Sequence, residues 1–358
     1  MKKNALMIIG CVLILNVLSI LCLYSSLHQA GEFVHKDIFY KQIVWIAVSW
    51  IVVGIVGFIN YRVYFDFSFI IYGISLGLLI AVKFFGREVM GAKRWFSFLG
   101  VNFQPSEFAK LAILILLARF FWLKREERNL FLKKVMAPLG LVFVSFLLIF
   151  TQPDLGTGLV CVLLFFIMGF SSRIPKKYFF VLLISGMILA PFGWNVLKDY
   201  QKKRLLVFLN PNIEPWGAGY TIIQSKIAIG SGRITGKGFL GGTQNQFNFL
   251  PERHTDFIFT VLAEEWGFLG GLFLVIVYYL ILRNILMIAR GAKDEFGYFL
   301  AIGVGSLYFL HIFVNMGMTM GILPVVGIPL LFLSYGGTHM MMTFVLLGIV
   351  FNITRQQS

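Results

Sequence analysis

The residues best equipped for chemistry stand together in Phe249-Leu250-Pro251-Glu252-Arg253-His254-Thr255-Asp256, directly before an apolar run that opens at Phe257. A carboxylate beside such a run can take a proton from a hydroxyl. A guanidinium next to it can grip phosphate oxygens two at a time. Asp256 also has a bland reading, since aspartate before a helix is a preferred N-cap. The context favours chemistry. Arg253 and His254 lie beside it, and the following apolar run carries Glu264 and Glu265, roughly 12–14 Å further along at a rise of about 1.5 Å per residue. Ionisable groups at membrane depth are functional by default.

Two further places hold charge where an apolar chain should not. Glu107 and Lys110, in Gln104-Pro105-Ser106-Glu107-Phe108-Ala109-Lys110, are spaced i, i+3 on one helical face and can pair directly. They read either as a self-neutralising pair joining spans or as a polar patch lining a substrate cavity, and the two are compatible. Asp154, in Thr151-Gln152-Pro153-Asp154-Leu155-Gly156-Thr157-Gly158, sits in a tight turn where capping the next helix is the favoured reading. Other patterns carry no chemistry. Gly230-Ser231-Gly232-Arg233-Ile234-Thr235-Gly236-Lys237-Gly238 resembles a phosphate loop, but Ser231 and Gly238 break the Walker spacing and no strand precedes it. It reads as a turn that lets backbone approach a ligand or the membrane. Cys11, Cys22 and Cys161 are scattered through apolar runs, so neither a disulfide framework nor a zinc site is expected. The histidines show no metalloprotease spacing, and no metal cage is visible.

The elements that must position these groups are membrane spans. The chain is 58% hydrophobic and 13% charged, about half the charge of a soluble domain. The pattern predicts an all-α polytopic integral membrane protein, one domain over residues 1–358, with about ten transmembrane helices. They fall near 5–24, 42–60, 67–85, 105–123, 135–151, 157–171, 179–196, 257–282, 296–320 and 338–354. The first follows Lys2-Lys3 but is too long for a signal core and stays a span. With the N-terminus inside, Lys2, Lys3, Arg62, Lys124, Arg125, Arg128, Lys133, Lys134, Arg173, Lys176, Lys177, Arg283, Arg290, Lys293 and Arg355 fall in cytoplasmic segments. The short opposite loops hold only Lys36, Lys41, Arg87, Lys93 and Arg94. That bias predicts N-in and C-in, and an extracytoplasmic loop over 197–256 between spans 7 and 8. It also explains the +15 net charge without nucleic acid. Tyr220 to Gly230 reads as a short interfacial helix. Residues 315–338, with two prolines and five glycines, are too apolar for a solvated loop. They read as a broken or re-entrant segment before span 10, buried in protein or lining a cavity.

Four motifs in this order resemble the SEDS family of cell-wall proteins over essentially the whole chain: QPSEFAK (104–110), QPDLGTG (152–158), GTQNQFNFLPERHTDFIFTVLAEEWGFLGG (242–271) and NMGMTMGILPVVGIPLLFLSYGGT (315–338). The GTQNQ…LPERHTDFIF wording is similar to the RodA branch rather than the FtsW branch. One departure is Leu331, where many members have a second proline. The resemblance implies a peptidoglycan glycosyltransferase that polymerises lipid II at the outer face of the bacterial cytoplasmic membrane during elongation. It implies a class B penicillin-binding protein as transpeptidase partner, within the elongation machinery. The family's essential loop aspartate falls on Asp256, its intramembrane Glu and Lys on Glu107 and Lys110, and its turn aspartate on Asp154.

That reaction needs a base for a sugar hydroxyl, positive charge for a departing diphosphate, and a path for lipid tails. Asp256 is the expected general base. Lys93, Arg94, Arg233, Lys237 and Arg253 are candidates for the diphosphate, with Arg253 favoured. A divalent cation, magnesium or manganese, bridging Asp256 and the diphosphate is a further expectation. A lipid II flippase, or a non-catalytic scaffold, would also suit ten spans with buried charge.

Overall fold

In a computed structural model of the chain, residues 2–29, 32–33, 36–89, 92–98, 101–122, 135–217 and 219–356 are described. Each apolar segment predicted from the sequence is a helix. In chain order the elements are α1 (Lys2–Leu27), a hairpin of β1 (His28–Gln29) and β2 (Glu32–Phe33), α2 (Lys36–Phe58), the short α3 (Arg62–Asp66) and α4 (Ser68–Phe85). An antiparallel meander follows, β3 (Arg87–Val89), β4 (Ala92–Phe98) and β5 (Val101–Phe103). Then come α5 (Pro105–Trp122), α6 (Ala137–Thr151), α7 (Leu155–Ser171) and α8 (Lys176–Gly193). The long loop contains α9 (Asp199–Leu209), α10 (Tyr220–Ser231) and α11 (Thr243–Gln246), and the chain ends in α12 (Ile258–Arg290), α13 (Glu295–Thr319) and α14 (Gly337–Gln356).

Among the described residues six helices, α1, α2, α4, α12, α13 and α14, are long and apolar enough to cross a membrane, and α6 and α7 are shorter apolar helices. Apolar side chains such as Ile51, Ile55 and Phe58 on α2 or Met187 and Ile188 on α8 face outward, as lipid-facing surfaces do because the hydrocarbon is as apolar as they are. The strands were not expected: period-2 alternation over two to seven residues is too short a signal to separate from loop. Of the cytoplasmic basic residues predicted from the charge bias, Lys124, Arg125, Arg128, Lys133 and Lys134 lie outside the described residues.

The helix most enclosed by the others is α13, whose buried residues run from Phe296 to Thr319 with few gaps. Around it the broken segment threads through the protein. Residues 321–336 are non-helical, while Ile328, Leu330, Leu331, Phe332, Leu333 and Ser334 are buried. Backbone carbonyls at that depth need partners inside the protein, because lipid offers none. Five side chains from four helices supply them. Ser19 donates to Leu333 O (2.7 Å), Gln42 to Ser334 O (3.4 Å), Tyr278 to Leu331 O (2.6 Å), His311 to Pro329 O (3.3 Å) and Asn315 to Ile328 O (2.7 Å). Ser334 Oγ accepts from Leu330 N and donates to Thr255 O, which ties the segment to the end of the long loop.

The glycine-rich loop does approach a backbone closely, but the backbone belongs to α12. That helix is broken at Gly267, whose φ of 65° and ψ of −159° lie outside the helical region. Lys237 N and Gly238 N donate to Glu264 O and Glu265 O, and Phe268 N and Leu269 N return the bonds to Arg233 O and Ile234 O. A side chain at Gly236 (φ 80°) would stand 2.0 Å from Glu265 O, and one at Gly267 would stand 2.4 Å from Gly236 N. Only glycine permits both the φ and the approach.

Candidate active site

Asp256 closes the long loop immediately before α12. The helix is capped at Phe257 with no side-chain bond, so the capping role that rivalled chemistry is not one Asp256 performs. Its backbone carbonyl is held by Asn315 Nδ2 (2.8 Å). Its carboxyl faces the broken segment so closely that a methyl group on Gly327 (φ 72°) would stand 3.3 Å from Asp256 Oδ2. That glycine keeps the space beside the carboxylate open.

Burial pushes the Asp256 carboxyl up to about 7, and the negative charge of Glu252 adds to the rise. Arg204 opposes it, Asp154 reinforces it, and Arg94 opposes it again. These neighbours come from three other places. Asp154 is the N-cap of α7, accepting from Thr157 N (3.2 Å), as the turn chemistry predicted. Its turn abuts the broken segment, since a side chain at Gly156 would stand 2.7 Å from Val326 O. Arg204, on α9, donates to Val325 O (3.2 Å). Arg94, on β4, donates through Nε to Gln152 O (2.8 Å) and through its terminal nitrogen to Pro153 O. Tyr200, one turn before Arg204, donates to Pro153 O (3.0 Å). The site is therefore a carboxylate with a near-neutral proton affinity, rimmed by two guanidinium groups. One stretch of irregular backbone carries it.

Glu107 and Lys110 form a second, deeper cluster. Lys110 Nζ donates to Glu107 Oε1 (2.7 Å) and to His311 Nε2 (2.8 Å), while His339 Nδ1 lies 3.2 Å from Glu107 Oε2. The two imidazoles stack with centroids 5.2 Å apart. None of the four residues is more than 6% exposed. They line a small cavity with Tyr308, Leu331 and Thr343. Glu107 and Lys110 thus pair directly, as their spacing predicted, and also line this small cavity. They meet the broken segment through His311, which donates to Pro329 O, and through Leu331, which lines the same cavity.

Arg253 is placed elsewhere. Its guanidinium is buried and donates to Ser26 O (2.7 Å) and to Asn248 Oδ1, and Asn245 Nδ2 donates to Ser25 O (2.8 Å). These bonds close the carbonyls that the C-terminus of α1 leaves without intrahelical partners. Glu264 accepts from Lys237 Nζ (2.7 Å), Thr243 Oγ1 (3.2 Å) and Gln244 N (3.1 Å), and Glu265 accepts from Ser25 Oγ. The acids beyond Asp256 therefore hold the loop onto α12 rather than extending the site. Arg233 contributes its carbonyl to the same seam, and Lys93 is exposed.

Sequence reasoning missed His311, His339, Arg204, Tyr200 and Asn315. His311 carried a usable signal, an ionisable residue inside an apolar run. Arg204 carried none, being one basic residue among several in a polar loop. Among the described residues no group of three His, Cys, Asp or Glu side chains is placed to hold a metal ion. Asp256 is a single carboxylate and offers no cage for a divalent cation, which would draw its ligands chiefly from phosphate and water.

The family model FTSW_RODA_SPOVE, described as "Cell cycle protein", matches residues 5–358. The chain is 43% identical over 314 residues to "Peptidoglycan glycosyltransferase MrdB" of Escherichia coli (strain K12), covering 87% of this chain and 84% of that relative. It is 33% identical over 419 residues to "Peptidoglycan glycosyltransferase RodA" of Treponema pallidum (strain Nichols), covering 96% of each. Among solved structures, a chain from "Structural coordination of polymerization and crosslinking by a peptidoglycan synthase complex" superposes with a TM-score of 0.82 at 30% identity, over 98% of this chain and 97% of that one. Thermus thermophilus "Rod shape determining protein RodA" superposes with a TM-score of 0.72 at 26% identity, over 98% and 96%.

Proposed function

The chain belongs to the FtsW/RodA/SpoVE family, and from that premise we propose that Asp256 is the general base with which it joins lipid-linked sugars into glycan strands. The protein is a peptidoglycan glycosyltransferase, as its relatives are named. The finer reading is that the substrate is lipid II, that the chain crosses the bacterial cytoplasmic membrane ten times with both termini inside, and that residues 197–256 and Asp256 face outward. The partner is a class B penicillin-binding protein of the elongation machinery. The structural neighbour from a complex that coordinates polymerization and crosslinking supports that pairing.

In this reading the acceptor hydroxyl loses its proton to Asp256 as its oxygen attacks the anomeric carbon, and the bond from that carbon to the diphosphate breaks. Diphosphate is a good leaving group and needs no strong acid. A carboxyl whose proton affinity lies near the operating pH is the best-matched base, and Asp256, pushed up to about 7, meets that condition. Arg204 and Arg94 flank it and supply the positive charge that the departing diphosphate requires, with arginine's planar fork suited to phosphate oxygens. Arg253, turned to Ser26 and Asn248, holds the loop that ends in Asp256. A magnesium or manganese ion carried by the diphosphate would add charge neutralisation.

The observation that carries the proposal is the Asp256 carboxyl, which caps no helix, stands against Gly327 and feels the charge of Arg204 and Arg94. Purified full-length protein in detergent, given lipid II, is expected to yield glycan strands resolvable on a gel, and Asp256→Asn to yield none while melting normally. Strand synthesis by Asp256→Asn at the wild-type rate would remove Asp256 from the chemistry. Passage of lipid II across vesicles without any strand formation would support a flippase instead.

A further inference from the structure

We infer that His311 is a positioning residue, passing the buried Lys110–Glu107 pair's hold on the broken segment to the Asp256 carboxylate that stands against Gly327 of the same segment. The inference rests on the proposed role of Asp256. Its observations are independent of that role. An ammonium group has donors and no acceptor. Lys110 Nζ lies 2.8 Å from His311 Nε2, so that ring nitrogen is the acceptor and the proton of the neutral ring resides on Nδ1. Nδ1 then donates to Pro329 O at 3.3 Å. One helical turn on, along the same face of α13, Asn315 Nδ2 donates to Ile328 O (2.7 Å) and to Asp256 O (2.8 Å). Two neighbouring carbonyls of the broken segment are thus pinned by two side chains spaced i, i+4. Gly327, the residue before them, is the one that packs on the Asp256 carboxylate.

Removing the Pro329 anchor should let the segment drift from Asp256 and admit water. Burial is the leading cause of the carboxyl's raised proton affinity, so its midpoint should then fall toward the ordinary carboxylate range. Facing Asp256 are Glu252 on the loop, Asp154 before α7, Arg204 on α9 and Arg94 on β4. Facing His311 are Lys110 and Glu107 on α5 and His339 on α14. Among the described residues His311 has no named charge contact with Asp256, so a shift in the Asp256 midpoint would come through the segment.

The test measures glycan formation from lipid II by the full-length protein, as kcat and KM between pH 5.5 and 9, with melting temperature alongside. His311→Phe keeps the ring and removes both nitrogens. It is expected to lower kcat about tenfold with little change in KM, as small misplacements of a catalytic group do, and to move the acid-limb midpoint down by about one unit. His311→Gln can accept from Lys110 and donate to Pro329 O, and is expected to stay near wild type in both. Wild-type kcat and midpoint in a folded His311→Phe protein would overturn the inference. So would an equal defect in His311→Gln, since the position would then require a ring and not two hydrogen bonds. Should His311→Phe fail to fold, the Gln variant decides alone: near-wild-type values support the inference and a loss of kcat overturns it. Asp256→Asn runs in parallel. If it polymerises normally, the base assignment fails; if it is inactive while His311→Phe behaves as wild type, only the positioning role fails.

Discussion

Two acidic sites meet the same broken segment at neighbouring residues, one at Gly327 and the other, through His311, at Pro329, and they are built on opposite principles. Around Glu107 the protein answers the carboxylate fully, with Lys110 at 2.7 Å and His339 at 3.2 Å. Around Asp256 it does the reverse. The carboxyl receives no cap bond, faces Gly327, and has Glu252 and Asp154 beside it as well as two arginines. A fully paired charge has no proton to take, whereas a buried carboxylate with no side-chain hydrogen bond among the described residues keeps that capacity.

The comparison breaks most visibly at Asp256. Asp256→Asn is expected to cut strand synthesis by about 10²–10⁴-fold, the usual contribution of a general base. It should also make the protein more heat-stable at high pH. The folded-state midpoint, about 7, lies above the ordinary value, so the folding stability contributed by the bound proton is present at low pH and lost as pH rises through 7. Asn carries no such penalty, so its melting temperature should exceed wild type by more at pH 8.5 than at pH 5, and match it only below the ordinary carboxylate value of about 4. An equal difference at both pH values would contradict the sign.

At the paired site the expected effect is on stability. Lys110→Met leaves a buried carboxylate without its cation, which costs about 3–5 kcal/mol. Adding Glu107→Gln should recover much of that loss, and thermal melts of the two proteins would show it. A double variant as unstable as the single would mean that the pair is not self-neutralising. At the rim, Arg204→Gln and Arg94→Gln should each lower kcat/KM about tenfold, since a charge-assisted hydrogen bond contributes about 1.5–3 kcal/mol. Unchanged kcat/KM in both would place the diphosphate elsewhere. The smallest effect is expected at the seam beneath the site. Gly236→Ala must push Glu265 O away, costing about 1–3 kcal/mol of stability with the pH midpoint unmoved.

How far the sequence carries can be seen residue by residue. The helices were legible because apolar runs of span length have few other readings. Asp256 was legible because it ends a polar loop at the edge of such a run. Asp154 was legible as a cap from its turn alone. What the sequence could not show is contact across the fold. Arg204 and Arg94 reach Asp256 from α9 and β4, about 50 and 160 positions away along the chain. Arg253, adjacent in sequence, is turned to the end of α1 instead. Proximity along the chain was the wrong guide there, because α1 needed its carbonyls closed and Arg253 was the side chain in reach. The glycine-rich loop misled in a similar way: its glycines do permit a close approach, but to the broken helix at Gly267 rather than to a ligand.

The central claim, that Asp256 takes the proton, is tested most directly by the pH dependence of strand synthesis by the full-length protein from saturating lipid II, wild type against Asp256→Asn. The wild-type rate is predicted to rise through a midpoint near pH 7, following the Asp256 carboxyl, and the variant's residual rate to show no such rise. A flat wild-type profile across that range, or the same midpoint in the variant, would contradict it.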